Sequence, residues 1–152
     1  MTTKYPVKLA VTLRPLWHQD PPRVRIGIDH DLEEVDIKNT VTLCFDVELA
    51  RTGTLTVELI NKQDSDTVIE HNLDKAVIIE SISFFGIEDP RFVWAGEYRP
   101  DYPEPWASEQ TDLAPVLKNH NYLGWNGKWT LTFDVPVFTW IHQVQNLGWI
   151  YS

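Results

Sequence analysis

Apolar and polar positions alternate along much of the chain, the period expected when a strand buries one face. Val7, Leu9, Val11 and Leu13 form a first series, which Pro15 is expected to end. Val24, Ile26 and Ile28 form a second after Pro21 and Pro22. The clearest series is Val41, Leu43, Phe45, Val47 and Leu49, set against Thr40, Thr42, Cys44, Asp46 and Glu48, which predicts a half-buried antiparallel strand. Leu55, Val57 and Leu59 resume the pattern beyond Thr52 and Gly53, so residues 40–59 read as a hairpin.

A polar loop, "NKQDSDTVIEHNLD", separates these strands from "KAVIIESISFFGI". The adjacent Ile78 and Ile79 break the alternation. They fit a central strand covered on both faces, or a bulge that shifts the phase.

From Asp89 to Asn121 periodicity fades into a stretch rich in Pro, Tyr, Trp and acid, with a short strand expected only at Phe92 to Trp94. Structureless loops longer than ~12–15 residues are uncommon in compact domains, so the segment reads as functional or as an interaction arm.

Next, "WNGKW" places Asn126-Gly127 between strand-like residues, the signal for a two-residue type I′ hairpin turn. Trp129, Leu131, Phe133 and Val135 alternate with polar residues, which puts the Trp129 ring in the core; Trp125, across the turn, fits inside or outside equally well. Trp140, Ile141, Val144 and Leu147 then follow helical spacing, with Thr139 as N-cap and Gly148 as stop, a last strand being the rival reading. Together these elements predict an all-β, antiparallel β-sandwich, jelly-roll-like, of about seven or eight strands, with one long aromatic and Pro-rich loop and a short C-terminal helix.

Composition narrows the partners. The 152 residues suit one domain, 1–152, and the 43% apolar and 23% charged content is that of a folded protein. Lys and Arg total 13 against 22 Asp and Glu, a net charge of −9, with the cations dispersed. A nucleic-acid backbone or an anionic membrane would need them concentrated, so neither is expected as a partner. The single cysteine, Cys44, cannot close an internal disulfide. The alternating amino-terminal segment reads as a strand and not as a signal peptide, and no apolar run reaches the ~20 residues of a membrane span, so folding in a cytosol is expected.

Chemical motifs are sparse. Asp64, Asp66 and Asp74, with Asn61 and Glu70, offer oxygen ligands for calcium from one loop, although the same residues serve ordinary turns. The run from Asp29 fails as an EF-hand, carrying Glu34 where glycine is required and Thr40 where glutamate is. The five histidines are isolated, and no Cys-x-x-Cys, His-Glu-x-x-His, Gly-x-Ser-x-Gly or phosphate loop occurs. Glu97, Asp101 and Glu104 are the carboxylates best placed for glycoside hydrolysis, the third reading in rank.

The strongest functional signal is the clustering of Tyr98, Arg99, Tyr102 and Trp106 among prolines, which lower the entropy lost on holding rings in place. Such rings suit sugar faces or protein interfaces, unless the loop folds back as a cover. Trp125 and, in the terminal "GWIYS", Trp149 join them as candidate contact residues.

The strand pattern, with "DKAVIIESISFFGI", resembles β-sandwich modules of two kinds: carbohydrate-binding domains and accessory or fibre-associated domains of tailed-phage particles. The first resemblance implies glycan binding, steadied by calcium. The second implies a non-enzymatic virion subunit, assembled in a host cytoplasm as a homo-oligomer or with other subunits. The absence of an export signal, a linker or disulfides favours the virion expectation over the glycan alternative.

Overall fold

The computed structural model describes residues 3–145, so Trp149, Leu147 and Gly148 lie outside the described residues. In chain order the elements are β1 (Tyr5–Leu16), β2 (Arg23–Ile28), β3 (Asp31–Asp36), β4 (Val41–Leu49), β5 (Thr52–Leu59), β6 (Ala76–Phe84), β7 (Ile87–Glu88), α1 (Pro90–Trp94), β8 (Glu97–Pro100), β9 (Leu117–Lys118), β10 (Tyr122–Leu123), β11 (Gly127–Asp134) and α2 (Val137–Val144). They form two antiparallel sheets, one ordered β10-β6-β1-β4 with β7 beside β6, the other β3-β2-β5-β11-β8-β9. One core cluster draws Val7, Leu9, Val11, Leu13, Ile79, Ile82 and Phe84 from the first sheet, and Val24, Leu55, Val57, Trp129 and Phe133 from the second. This is the expected β-sandwich.

The alternating series point as read. Val7, Leu9, Val11 and Leu13 are buried, as are Val24, Ile26 and Ile28, and Trp129 is wholly enclosed with its indole N–H donating to His120 O at 3.1 Å. Fully burying one such aliphatic side chain stabilises by about 1.5–3 kcal/mol, so these rows supply much of the driving force. Pro15 does not end β1, which continues to Leu16 with Pro15 paired opposite Val77.

The two readings of Ile78 and Ile79 are both realised. Ala76 to Ile79 are buried on both faces, and the register shifts where Thr12 faces Ser81 but Leu13 faces Ile79, leaving Glu80 as the extra residue. The bulge moves the inward phase from Val77 and Ile79 to Ile82 and Phe84.

Two expected hairpins do not form. β4 pairs with β1 and β5 with β11 and β2, so the chain crosses between sheets after Leu49. Gly53, the second residue of β5, packs close to that crossing: a Cβ there would lie 2.5 Å from Leu49 Cδ1 and 2.6 Å from Phe133 Cζ, so the glycine lets these two side chains close over it. Likewise Tyr122 and Leu123 join the first sheet while Gly127 opens β11 in the second, so Asn126-Gly127 spans the layers instead of closing a hairpin. At Gly127, φ is 147° and a Cβ would meet Arg99 O at 2.5 Å, which explains the glycine.

The strand expected at Phe92 to Trp94 is helix α1. Asp89 caps it by accepting from Arg91 N at 2.9 Å, and Pro90 follows at the first helical position. The C-terminal helix is present but begins at Val137 behind Pro136; Thr139 is inside it and is not the cap. Its buried Val137, Trp140 and Ile141 close one end of the sandwich, with Trp140 centred 5.3 Å from Phe84 and 5.5 Å from Phe92.

Candidate functional site

The segment after α1 is less irregular than its composition suggests. β8 joins the edge of β11 in register, Tyr98 opposite Trp129 and Arg99 opposite Lys128, and β9 pairs with β8 in turn. Period two then decides the fate of adjacent candidates. Tyr98 faces inward and is fully buried; its hydroxyl donates to Trp125 O and accepts from Trp125 N at 3.1 Å, and burial pushes the phenol pKa above its ordinary 10. It cannot touch a partner, a correction to the sequence expectation. Arg99 faces outward, paired with Glu97 at 2.9 Å, and takes no part in the ring cluster below.

Beyond Pro100 the chain leaves the sheet and three rings converge. Tyr102 meets Trp125 edge to face at a centroid distance of 5.0 Å, Trp106 stacks near Trp125 at 6.0 Å and 30°, and Tyr102 and Trp106 are 6.0 Å apart. Each ring has a local anchor. The Tyr102 hydroxyl donates to Ala114 O at 2.8 Å; Ala107 N donates to Pro103 O at 2.8 Å, starting the turn Ala107–Glu109 that carries Trp106; Ser108 donates to Glu104. Trp125 is held by the Tyr98 hydroxyl from beneath. Trp106 keeps 39% of its surface exposed, whereas Tyr102 and Trp125 are half-buried. Trp125 thus packs on the core and still reaches the outside.

The rings form one side of a groove of about 520 Å³, within the range of small-ligand sites. The opposite side is the loop of residues 61–74, through Lys62, Gln63, Asp64, Thr67 and Ile69, with Asp101, Glu104 and Asn126 completing the rim. Asn126 fastens the two sides: its Oδ1 accepts from Lys62 N at 2.8 Å, its Nδ2 donates to Lys62 O at 3.0 Å, and its carbonyl accepts from Asp101 N at 2.6 Å. Flat apolar faces thus stand beside carboxylates and amides, an arrangement suited to a ligand that has both C–H faces and hydroxyls.

The expected calcium ligands are not brought together. Asp64 lines the groove. Asp66 is buried, 3.2 Å from Lys75 Nζ and accepting from Gln63 N at 2.7 Å. Asp74 accepts from Lys62 Nζ at 2.7 Å, Tyr122 Oη at 2.6 Å and Thr67 Oγ1 at 2.9 Å. Burial alone would raise the Asp74 pKa, but these donors outweigh it and hold the carboxyl below its ordinary 3.8. Among the described residues no three His, Cys, Asp or Glu side chains are grouped to hold a metal ion. Of the candidate hydrolytic carboxylates, Asp101 and Glu104 reach the groove and Glu97 does not.

Sequence reasoning passed over Trp17, which is 41% exposed and donates its indole N–H to Lys38 O at 3.1 Å. A tryptophan beside Pro15 and Pro21-Pro22, in a break between strands, was the available signal.

No protein-family model and no curated protein matches the chain. A solved structure does match in fold: that of vCBM60, a carbohydrate-binding module, in complex with galactobiose, with a TM-score of 0.50 and 12% sequence identity, over 82% of this chain and 96% of that one. At that identity the likeness is one of architecture, and it agrees with the two-sheet sandwich described above.

Proposed function

We propose that the protein is a non-enzymatic glycan-binding module whose groove stacks a sugar against Trp106, with Tyr102 and Trp125 fixing that ring. The observation that carries this reading is the convergence of three rings, from segments on either side of β9 and β10, onto one wall of a polar-rimmed groove. Binding is burial of a sugar's C–H face on the indole, with hydroxyls bonded by the rim carboxylates and amides and no covalent change. The fold likeness to a module in complex with galactobiose supports it. The virion-subunit expectation has no comparable support: nothing in the described fold or in the likeness speaks for it, and the glycan alternative takes its place.

The test is an array of neutral oligosaccharides, galactobiose among them, probed with the wild type and with Trp106→Ala. Capture of at least one glycan, weakened about tenfold or more by the substitution, is the expected result. Absence of capture across the array, or equal capture by both proteins, overturns the reading.

A further inference from the structure

The loop of residues 61–74 has a second side. Thr67 and Ile69, which wall the groove beside Trp106, also wall a separate hollow of about 440 Å³ bounded by Trp17, Asn72, Leu73 and Tyr122. The two hollows are therefore neighbours across one rib of backbone. The second hollow repeats the plan of the first. Trp17 is tied at its polar edge to Lys38 O while two-fifths of the residue remains exposed, Tyr122 is pinned through its hydroxyl to Asp74, and Asn72, in the left-handed region at φ 56°, ends the short turn at the crest.

We propose that this hollow is a second sugar subsite, and that the protein holds one extended, uncharged glycan chain laid over the Thr67–Ile69 rib from Trp106 to Trp17. The inference rests on the glycan reading above and adds the ligand's length and charge. Ile69, at the rib, is 88% exposed, an apolar side chain left open among the described residues that the C–H face of a passing sugar would cover. The rib is anchored at its base: the Asp66–Lys75 pair is buried beneath it at 3.2 Å, and His18 Nε2 is bonded to Asp66 O at 2.8 Å. A preformed double site favours a single ligand that reaches both halves, because the second contact is then intramolecular.

Charge selects the class of chain. Asp64, Asp74, Asp101 and Glu104 line the two hollows, and their one lining ammonium, that of Lys62, is already bonded to Asp74 and to Gly124 O. Polysaccharides rich in uronic acid or sulfate would meet the carboxylates of Asp64, Asp101 and Glu104, none of which the Lys62 ammonium neutralises, so neutral chains fit.

Titration calorimetry of the full chain with neutral oligosaccharides, from disaccharide to hexasaccharide, of the polymer captured on the array tests the proposal. The wild type is expected to gain about tenfold in affinity with length. Trp17→Ala should remove that gain while leaving disaccharide affinity within about twofold, whereas Trp106→Ala should weaken every length. If Trp17→Ala fails to fold, Leu73→Ser, at a partly exposed position that lines the second hollow and not the first, reads the same gain. A length dependence identical to the wild type in these variants, with Trp106→Ala still defective, overturns the second subsite and leaves the first standing. A wild type that binds no oligosaccharide of any length overturns both.

Discussion

Lys75 Nζ lies 3.2 Å from the Asp66 carboxylate, and both side chains are almost wholly buried beneath the loop that separates the two hollows. Removing one charge from such a pair leaves the other buried without its counter-ion, a loss of about 3–5 kcal/mol. Lys75→Met should therefore unfold at markedly lower urea concentration than the wild type, and Asp66→Asn combined with Lys75→Met should recover part of the loss. Urea melts of the three proteins decide it; a double variant no better than the single one would mean the pair's charges do not oppose burial here.

Tyr98 illustrates how one register position separates a core residue from a surface one. Its hydroxyl bonds both the carbonyl and the N–H of Trp125, so Tyr98→Phe leaves two half-buried backbone groups short of a partner. The expected cost is about 1–3 kcal/mol in a denaturant melt. Because the phenol lies under the groove, affinity for a disaccharide should change far less than it does in Trp106→Ala. A Tyr98→Phe protein of wild-type stability would contradict the geometry.

Alternation told which side chains face inward, and it did so for β1, β2, β4, β5 and β11. It does not tell which strand lies next to which, because a strand with one buried row serves equally well in a hairpin or across a sandwich. That is why the inward positions of Leu49 and Leu55 suggest a hairpin, whereas the chain crosses between the sheets at Ala50 and Arg51. Asn126-Gly127 misled for a related reason: its side chain is committed to Lys62, a partner 64 positions away that no local pattern reveals. In the site, Tyr102 and Trp106 are legible as exposed chemistry because prolines and acids surround them, whereas Trp125, among Gly124, Asn126 and Gly127, fits either side. The inward placing of Tyr98 is not legible, since a four-residue strand is too short to show its period. Trp17 belongs to no aromatic run, and only its place between Pro15 and Pro21-Pro22, in a break between strands, marks it.

Asp74 sets a pH dependence whose sign follows from its pKa. The folded carboxyl titrates below the ordinary 3.8, so the native state holds fewer protons than the unfolded chain as pH falls through this range. Stability from Asp74 is fully present above about 3.8 and is lost as pH drops through the folded value. Asp74→Asn should be less stable at neutral pH, where Lys62, Tyr122 and Thr67 lose a charged acceptor, and should show a shallower decline between pH 4 and 2. Asp89, whose pKa Arg91 also holds low, keeps some acid sensitivity in the variant. Parallel acid limbs for the two proteins would exclude Asp74 as a source.

Asn126 is the residue through which stability and binding should be coupled. Its amide holds Lys62, at the start of the rib, and its backbone carbonyl holds Asp101, at the start of the segment that carries Tyr102 and Trp106. Asn126→Ala keeps the carbonyl and removes the amide, leaving the Lys62 N–H and C=O without their partner at a cost of about 1–3 kcal/mol. The side-chain amide's hydrogen bonds go to Lys62 and not to the rings, so stacking on Trp125 persists while the facing wall drifts. Glycan affinity should then fall together with stability. Asn126→Asp, which retains an acceptor for Lys62 N but no donor for Lys62 O, should fall between the alanine variant and the wild type in both measurements. If calorimetry finds wild-type affinity in a destabilised Asn126→Ala protein, the wall formed by Lys62 and Thr67 contributes nothing to recognition, and the rings alone must hold the sugar.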